Sequence, residues 1–139
     1  MTGPVEYRTD ARPSAAEYID AVRRSGLGER LPVDDPALMQ AALDASDVVV
    51  TAWDGGRLVG FLRAVTDFAL ICYLQELGVD AAHQRDGIGL ALQREMRALL
   101  GPHCKIRVSE APGAAGYYGR HGYTCHDRSW ELLPGQPLV

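Results

Sequence analysis

The sequence predicts a mixed α/β fold in which one central sheet, mostly antiparallel, carries helices on both faces. Three observations support this class. The 139 residues are enough for a single domain with one core. Three apolar segments, the first of them rich in β-branched residues, follow one another in the middle of the chain, and segments with helical periodicity lie on either side of them. The element order is strand, two helices, three strands, helix, strand, short helix and strand, which gives about six to seven strands.

The N-terminal part predicts one strand and two helices. Residues 5–9 alternate as a first strand. Ser14 can cap the first helix and Glu17, three residues later, can close a capping box, while Gly26 ends that helix. Asp35-Pro36 begins a second helix, with proline in its first turn.

The middle of the chain predicts a meander of three strands. Residues 48–53 are rich in valine, Asp54-Gly55-Gly56 follows as a hairpin turn, and residues 57–65 run back. Residues 70–79 form a third apolar segment. A strand, a helix and a further strand then give a crossover connection.

The C-terminal part predicts two helices and two strand regions. Residues 87–100 have a helical apolar stripe, and residues 105–108 alternate as a strand. A short helix is expected within residues 114–120, followed by one bent strand or two short strands over residues 123–133. The whole chain, residues 1–139, is therefore expected to form one domain.

Composition excludes several classes of function. The formal net charge is −4 and the charges are scattered, so no basic surface for a nucleic-acid partner is expected. No stretch approaches the roughly 20 apolar residues of a membrane span, and the N-terminus does not resemble a secretory signal, so a cytoplasmic protein is expected. Cys72, Cys104 and Cys125 are odd in number and have no metal-ligand spacing, so neither disulfides nor a bound metal is expected.

The segment Gln84-Arg85-Asp86-Gly87-Ile88-Gly89 carries the strongest chemical signal. It lies between an apolar strand and an amphipathic helix, where the free N–H groups of the first helical turn and the helix dipole attract anions. The segment is not a P-loop, because the Gly-Lys-Ser/Thr ending is absent. Taken alone, its two glycines also fit an ordinary turn entering a helix.

Two motifs at a matching distance give the chain a resemblance to a known family. Gln84-x-x-Gly87-x-Gly89 is similar to the Gln/Arg-x-x-Gly-x-Gly/Ala motif of the GCN5-related N-acetyltransferases. The run from Tyr117 to Tyr123 resembles that family's aromatic-Tyr-x-Lys/Arg-x-Gly-aromatic segment. One helix and one strand separate the two motifs, as in the family, and the element order agrees over nearly the whole chain. The chain thus resembles this family in fold and in its two functional motifs.

The resemblance implies that acetyl-CoA is the co-substrate. The N–H groups of the glycine segment would bind its diphosphate, and its pantetheine arm would add like a strand to an exposed sheet edge. The residues assigned to the coenzyme are Leu77, Gly78, Val79, Gln84, Arg85, Asp86, Gly87, Ile88, Gly89 and Tyr118. Gly78 is consistent with a bulge that opens this edge, or with a glycine required only by packing.

The resemblance also suggests catalytic residues. Tyr118 lies at the family position for the general acid that protonates the departing thiolate. Gln75 lies where polyamine acetyltransferases carry a general base, and glutamine cannot take a proton. Glu76 is a candidate base, but it could equally bind a cationic amine or point to solvent. Glu110, or a water relay without a side-chain base, remains open.

The expected function is N-acetyl transfer from acetyl-CoA to a primary amine by direct attack in a ternary complex. The acceptor would be a small molecule or a peptide, and Tyr18 and Arg23 on the first helix are candidates for lining its pocket. An alternative is a non-catalytic module of the same fold that binds or senses acyl-CoA. A homodimer is a further possibility that the resemblance raises.

Overall fold

A computed structural model describes residues 4–84, 86–113 and 116–139 of the chain. The chain forms two compact units, residues 1–109 and residues 110–139. The first unit contains the sheet and three of the α-helices. Its elements are β1 (Glu6–Arg8), α1 (Ala15–Ser25), α2 (Pro36–Ala45), β2 (Val48–Asp54), β3 (Arg57–Thr66), β4 (Ile71–Val79), a 3₁₀ turn (Ala81–His83), α3 (Ile88–Ala98) and β5 (Lys105–Val108). The second unit contains α4 (Tyr117–Arg120).

The helix ends follow the local signals in the sequence. The Ser14 side chain accepts a hydrogen bond from the N–H of Glu17, and the Glu17 carboxylate accepts from the N–H of Ser14, which confirms the predicted capping box. Gly26 ends α1 in the left-handed region with φ +89°. Asp35 caps α2 through the N–H of Leu38, as its position before proline predicts.

The sheet order is β1-β2-β3-β4-β5, and every pair is antiparallel except β4 and β5, which are parallel. The predicted meander and crossover are confirmed. The predicted number of six to seven strands is too high, because this sheet has five.

The missing strand is the one predicted over residues 123–133. The described residues 116–139 contain α4 and turns but no strand. Trp130, Leu132 and Leu133 are exposed there. A strand is stable only when a neighbouring strand pairs with it, so apolar residues alone do not produce one.

Helices cover both faces of the sheet. A Cβ built on Gly60 would lie 2.9 Å from Ile88 and 3.2 Å from Leu92, so this side of β3 faces α3. The next residue, Phe61, packs its ring edge-to-face on Tyr18 of α1, with ring centroids 5.2 Å apart. Successive residues of a strand point to opposite faces, so α1 and α3 lie on opposite sides of the sheet.

Within the described ranges, none of the helices has both the length and the apolar character needed to span a membrane.

Candidate functional site

The parallel pair β4 and β5 separates partway along β4. The pairing runs from Ile71 with Lys105 to Leu74 with Val108, where β5 ends. Among the described residues, none of residues 75–79 of β4 is paired on the β5 side, and residues 76–79 are paired with β3. Their other edge is available for a ligand that can make strand-like hydrogen bonds.

A bulge lies at the start of this open edge. Arg63 pairs with Glu76 and Ala64 pairs with Leu74, so Gln75 has no partner on β3. The sequence-based suggestion of a bulge at Gly78 is wrong, because Gly78 pairs regularly with Phe61.

Gly78 has a packing role instead. A Cβ built at this position would lie 2.7 Å from Cε1 of the Phe61 ring and closer still to Cζ. Phe61 is itself 1% exposed and belongs to the core beneath α1, so its ring has little room to move. Glycine is therefore needed here for close approach of the strand to the ring.

Glu76 lies in a polar cluster beneath α1. Arg63 donates to both carboxylate oxygens, from Nε and from Nη2, at 2.5 Å each. The Tyr18 hydroxyl donates to Oε2 at 2.7 Å. The Glu76 side chain is 10% exposed, so the suggestion that it points to solvent is wrong. Both oxygens of the Glu76 carboxylate are therefore engaged by donors, which come from β3 and from α1.

The two partners of Glu76, Tyr18 and Arg63, both have raised pKa values. Burial, followed by the Glu76 charge, raises the pKa of Tyr18. The hydrogen bond to Glu76, together with its charge, raises the pKa of Arg63 despite the opposing effect of burial. Tyr18 is 2% exposed and so does not offer a free surface for an acceptor, whereas Arg23 pairs with Asp34 at 3.2 Å on the surface.

The connection from β4 to α3 is fixed by side chains at its start. Asp80 accepts from the N–H of Ala82 at 2.9 Å and caps the 3₁₀ turn. The Gln84 amide donates to the carbonyl of Val79 at 3.2 Å, which ties this motif residue back to the end of β4. Arg85, the next residue assigned to the coenzyme, lies outside the described residues.

Asp80 also anchors this connection to α1. Its carboxylate pairs with Arg24, which donates at 2.8 Å to the carbonyl of Leu58 as well. Burial by itself would raise the pKa of Asp80, but the N–H of Ala82, the Arg24 guanidinium and the neighbouring His83 together hold that pKa below its usual value. The Asp80 side chain is therefore ionised at neutral pH.

The N-terminus of α3 is open. Gly87 adopts φ +80° as the N-cap residue and provides no side-chain hydrogen bond within the described residues. A Cβ built there would meet no atom within 4 Å. Ile88 is buried in the core and Asp86 is exposed, while the Gly89 carbonyl accepts from Gln93 at 3.1 Å. The free N–H groups of this first turn, together with the helix dipole, are suited to bind an anion such as a diphosphate.

Tyr118 lies in the second unit, on α4. Its ring packs edge-to-face on Tyr117 and Tyr123, with centroids 5.0 and 5.2 Å away. Burial, followed by Tyr117, Tyr123 and the charge of Glu110, raises the pKa of Tyr118. The hydroxyl is protonated at neutral pH, and the raised pKa makes it a weaker acid than an ordinary tyrosine.

The described residues contain no group of three His, Cys, Asp or Glu side chains placed to hold a metal ion.

The sequence did not lead us to predict a site role for Arg63, although a single arginine inside the apolar run of residues 58–65 was a usable signal. A charge at the centre of such a strand is stable only when a partner neutralises it.

A family model described as an acetyltransferase (GNAT) domain matches residues 32–131, well over half of the chain. The chain belongs to the GNAT acetyltransferase family. The fold described above, with its splayed β4 and β5 and its glycine-capped α3, is thus that of a GNAT protein. No curated protein sequence matches the chain significantly.

Solved structures agree with the GNAT fold. A Staphylococcus aureus protein given as a probable acetyltransferase matches with TM-score 0.76 and 16% identity, covering 94% of this chain and 98% of its own. A GNAT-family protein from Xanthomonas campestris matches with TM-score 0.73 and 24% identity, covering 97% of each chain. An aminoglycoside acetyltransferase from an uncultured soil metagenomic sample matches with TM-score 0.67 and 17% identity, covering 93% of this chain and 94% of its own. At these identities the likeness concerns the fold.

Proposed function

We propose that this GNAT protein transfers the acetyl group of acetyl-CoA to a primary amine by direct attack in a ternary complex. The observation that carries the proposal is the open β4 edge over residues 75–79, followed by the open N-terminus of α3. The β4 edge suits an amide-bearing arm, and the N-terminus of α3 suits a diphosphate. Coenzyme A contains both groups in one molecule.

The residues present fit this co-substrate. Around Gly87 there is open space where the diphosphate would approach, and Asp86, Ile88 and Gly89 contribute the adjoining backbone. The arm would lie along the backbone of residues 77–79, with Gln84 fixing the loop rather than contacting phosphate.

The proposed chemistry is a single substitution at the thioester. The amine nitrogen bonds to the carbonyl carbon while the C–S bond breaks, and Tyr118 protonates the departing thiolate. The nitrogen then loses its proton. Because Glu76 already holds Arg63 and Tyr18, deprotonation through water is better supported than deprotonation by Glu76.

Replacement of Tyr118 tests this role. We expect Tyr118→Phe to lower kcat about 100-fold, the lower range for loss of a general acid, without changing acetyl-CoA affinity. Steady coenzyme A release with a panel of amines measures kcat, and Tyr117→Phe serves as the matched control on the same helix. An unchanged kcat in Tyr118→Phe would remove this hydroxyl from the mechanism.

A second candidate function is an acyl-CoA-binding module without turnover. The engagement of Glu76 by Arg63 favours it, since no free base is then present on this part of β4. Tight acetyl-CoA binding with no coenzyme A release from any amine would establish this alternative.

We place the reaction in the cytoplasm, and the support is chemical. Cys72, Cys104 and Cys125 are all free thiols, as a reducing compartment maintains them.

Since direct attack uses no thiol of the protein, mass spectrometry during turnover should detect no acetylated cysteine.

A further inference from the structure

The buried pair of Arg63 and Glu76 lies beside the residue where β4 is least supported by its neighbours. Gln75 has no partner on β3, and the pairing with β5 has already ended at Leu74. At this one residue the described strands give the β4 backbone no ladder partner on either side. Such a position is free to shift its register or its twist.

We infer that Arg63 and Glu76 are positioning residues that fix the bulge, and so hold the open edge in the geometry that receives the pantetheine arm. This inference rests on the proposed function. Glu76 is the first residue after the bulge, and Arg63 is its partner on β3. The bidentate contact between the Arg63 guanidinium and the Glu76 carboxylate fixes the relative orientation of the two groups as well as their distance. A single hydrogen bond fixes the distance alone.

The cluster is anchored from two further elements, α1 and α2. Tyr18 of α1 donates to Glu76 at 2.7 Å. Arg63 donates at 3.3 Å to the Ser46 hydroxyl, which follows α2. Ser46 in turn donates at 2.7 Å to the carbonyl of Ala42 in α2. Both helices on this face therefore hold the pair against the bulge.

Stability alone is a weak explanation for these charges. A buried ion pair contributes little compared with apolar side chains of the same volume, because removing both charges from water is costly. The Arg63 side chain is 14% exposed and the Glu76 side chain is 10% exposed, and Arg63 lies inside the apolar run of residues 58–65. Control of backbone geometry explains the location of the pair beside the bulge.

The test separates the two parts of the ligand. Isothermal titration measures the Kd of acetyl-CoA and the Kd of adenosine 3′-phosphate 5′-diphosphate, which is coenzyme A without its arm. Arg63→Met should weaken acetyl-CoA binding about tenfold and leave the nucleotide within about twofold, since only the arm lies on the edge. Met39→Ala, which removes a buried side chain of α2, is the control for a general loss of stability and should not change the ratio of the two constants.

A milder variant covers the possibility that Arg63→Met does not fold. Tyr18→Phe removes only the hydroxyl that donates to Glu76, and it should raise the acetyl-CoA Kd about threefold without affecting the nucleotide. An unchanged ratio of the two constants in these variants, or an equal change in Met39→Ala, would overturn the inference while the proposed function stands. Absence of acetyl-CoA binding by the wild type would instead overturn the proposed function, and the inference with it.

Discussion

The two halves of β4 are held in place in different ways. Over residues 71–74 the strand is paired on both sides, and Cys72 and Leu74 are buried, with the Cys72 sulfur 3.8 Å from that of Met96 in α3. Over residues 76–79 the strand is paired on one side, and the carboxylates of Glu76 and of Asp80, the residue after the strand, bind arginines from other elements. We infer that directed ion pairs fix the backbone where one side of the strand is unpaired.

Breaking the ion pair at the end of β4 should have the largest effect on stability. Asp80→Asn leaves Arg24 without its buried partner, and we expect a loss of about 3 kcal/mol in the free energy of unfolding. Urea unfolding followed by circular dichroism measures this loss. Asp20→Asn is the matched control, because it removes the other, exposed carboxylate that Arg24 contacts and should cost less than about 1 kcal/mol.

The same variant has a predicted pH dependence. Because the pKa of Asp80 is lowered in the folded chain, its ionised form contributes stability above the unfolded value, and this contribution is lost as the pH falls through the folded value. The difference between wild type and Asp80→Asn should therefore be constant from about pH 5 to pH 7 and shrink below about pH 4. A difference that does not change with pH would contradict the role of the charge.

The packing of the open half gives the second effect. Gly78→Ala should destabilise the chain by about 2 kcal/mol, because the added methyl group overlaps the Phe61 ring. In a Phe61→Leu background the same change should cost at least about 1 kcal/mol less, and a double-mutant cycle measures this coupling. Equal costs in both backgrounds would show that the ring is not the obstacle.

The smallest effect concerns the cap of α3. Gly87→Ala should cost about 1 kcal/mol, because a side chain is disfavoured at φ +80° even though the space is open. Gly87→Asn should cost less, since asparagine tolerates this conformation better than alanine. Thermal unfolding of the two variants, compared side by side, is sufficient to rank them, and a less stable asparagine variant would contradict the backbone argument.

Local signals predicted much of the sheet unit. The caps of α1 and α2, the hairpin at Asp54-Gly55-Gly56 and the glycine at the start of α3 depend on a few neighbouring residues, and each is found where the sequence places it. Capping and turn formation are local, so one sequence suffices to predict them.

Features that depend on distant partners were not predictable in the same way. The bulge at Gln75 follows from the register between β3 and β4, and the need for Gly78 follows from a ring seventeen positions earlier in the chain. The strand expected over residues 123–133 depended on a partner that no local pattern could supply. The role of Tyr118 as acid stays a prediction.

Amide hydrogen exchange of the wild type, with and without acetyl-CoA, tests the central claim most directly. We expect bound acetyl-CoA to slow exchange at N–H groups within residues 75–79 and in the first turn of α3, at residues 88–90. Binding that leaves both segments unchanged, or no binding at all, would contradict it.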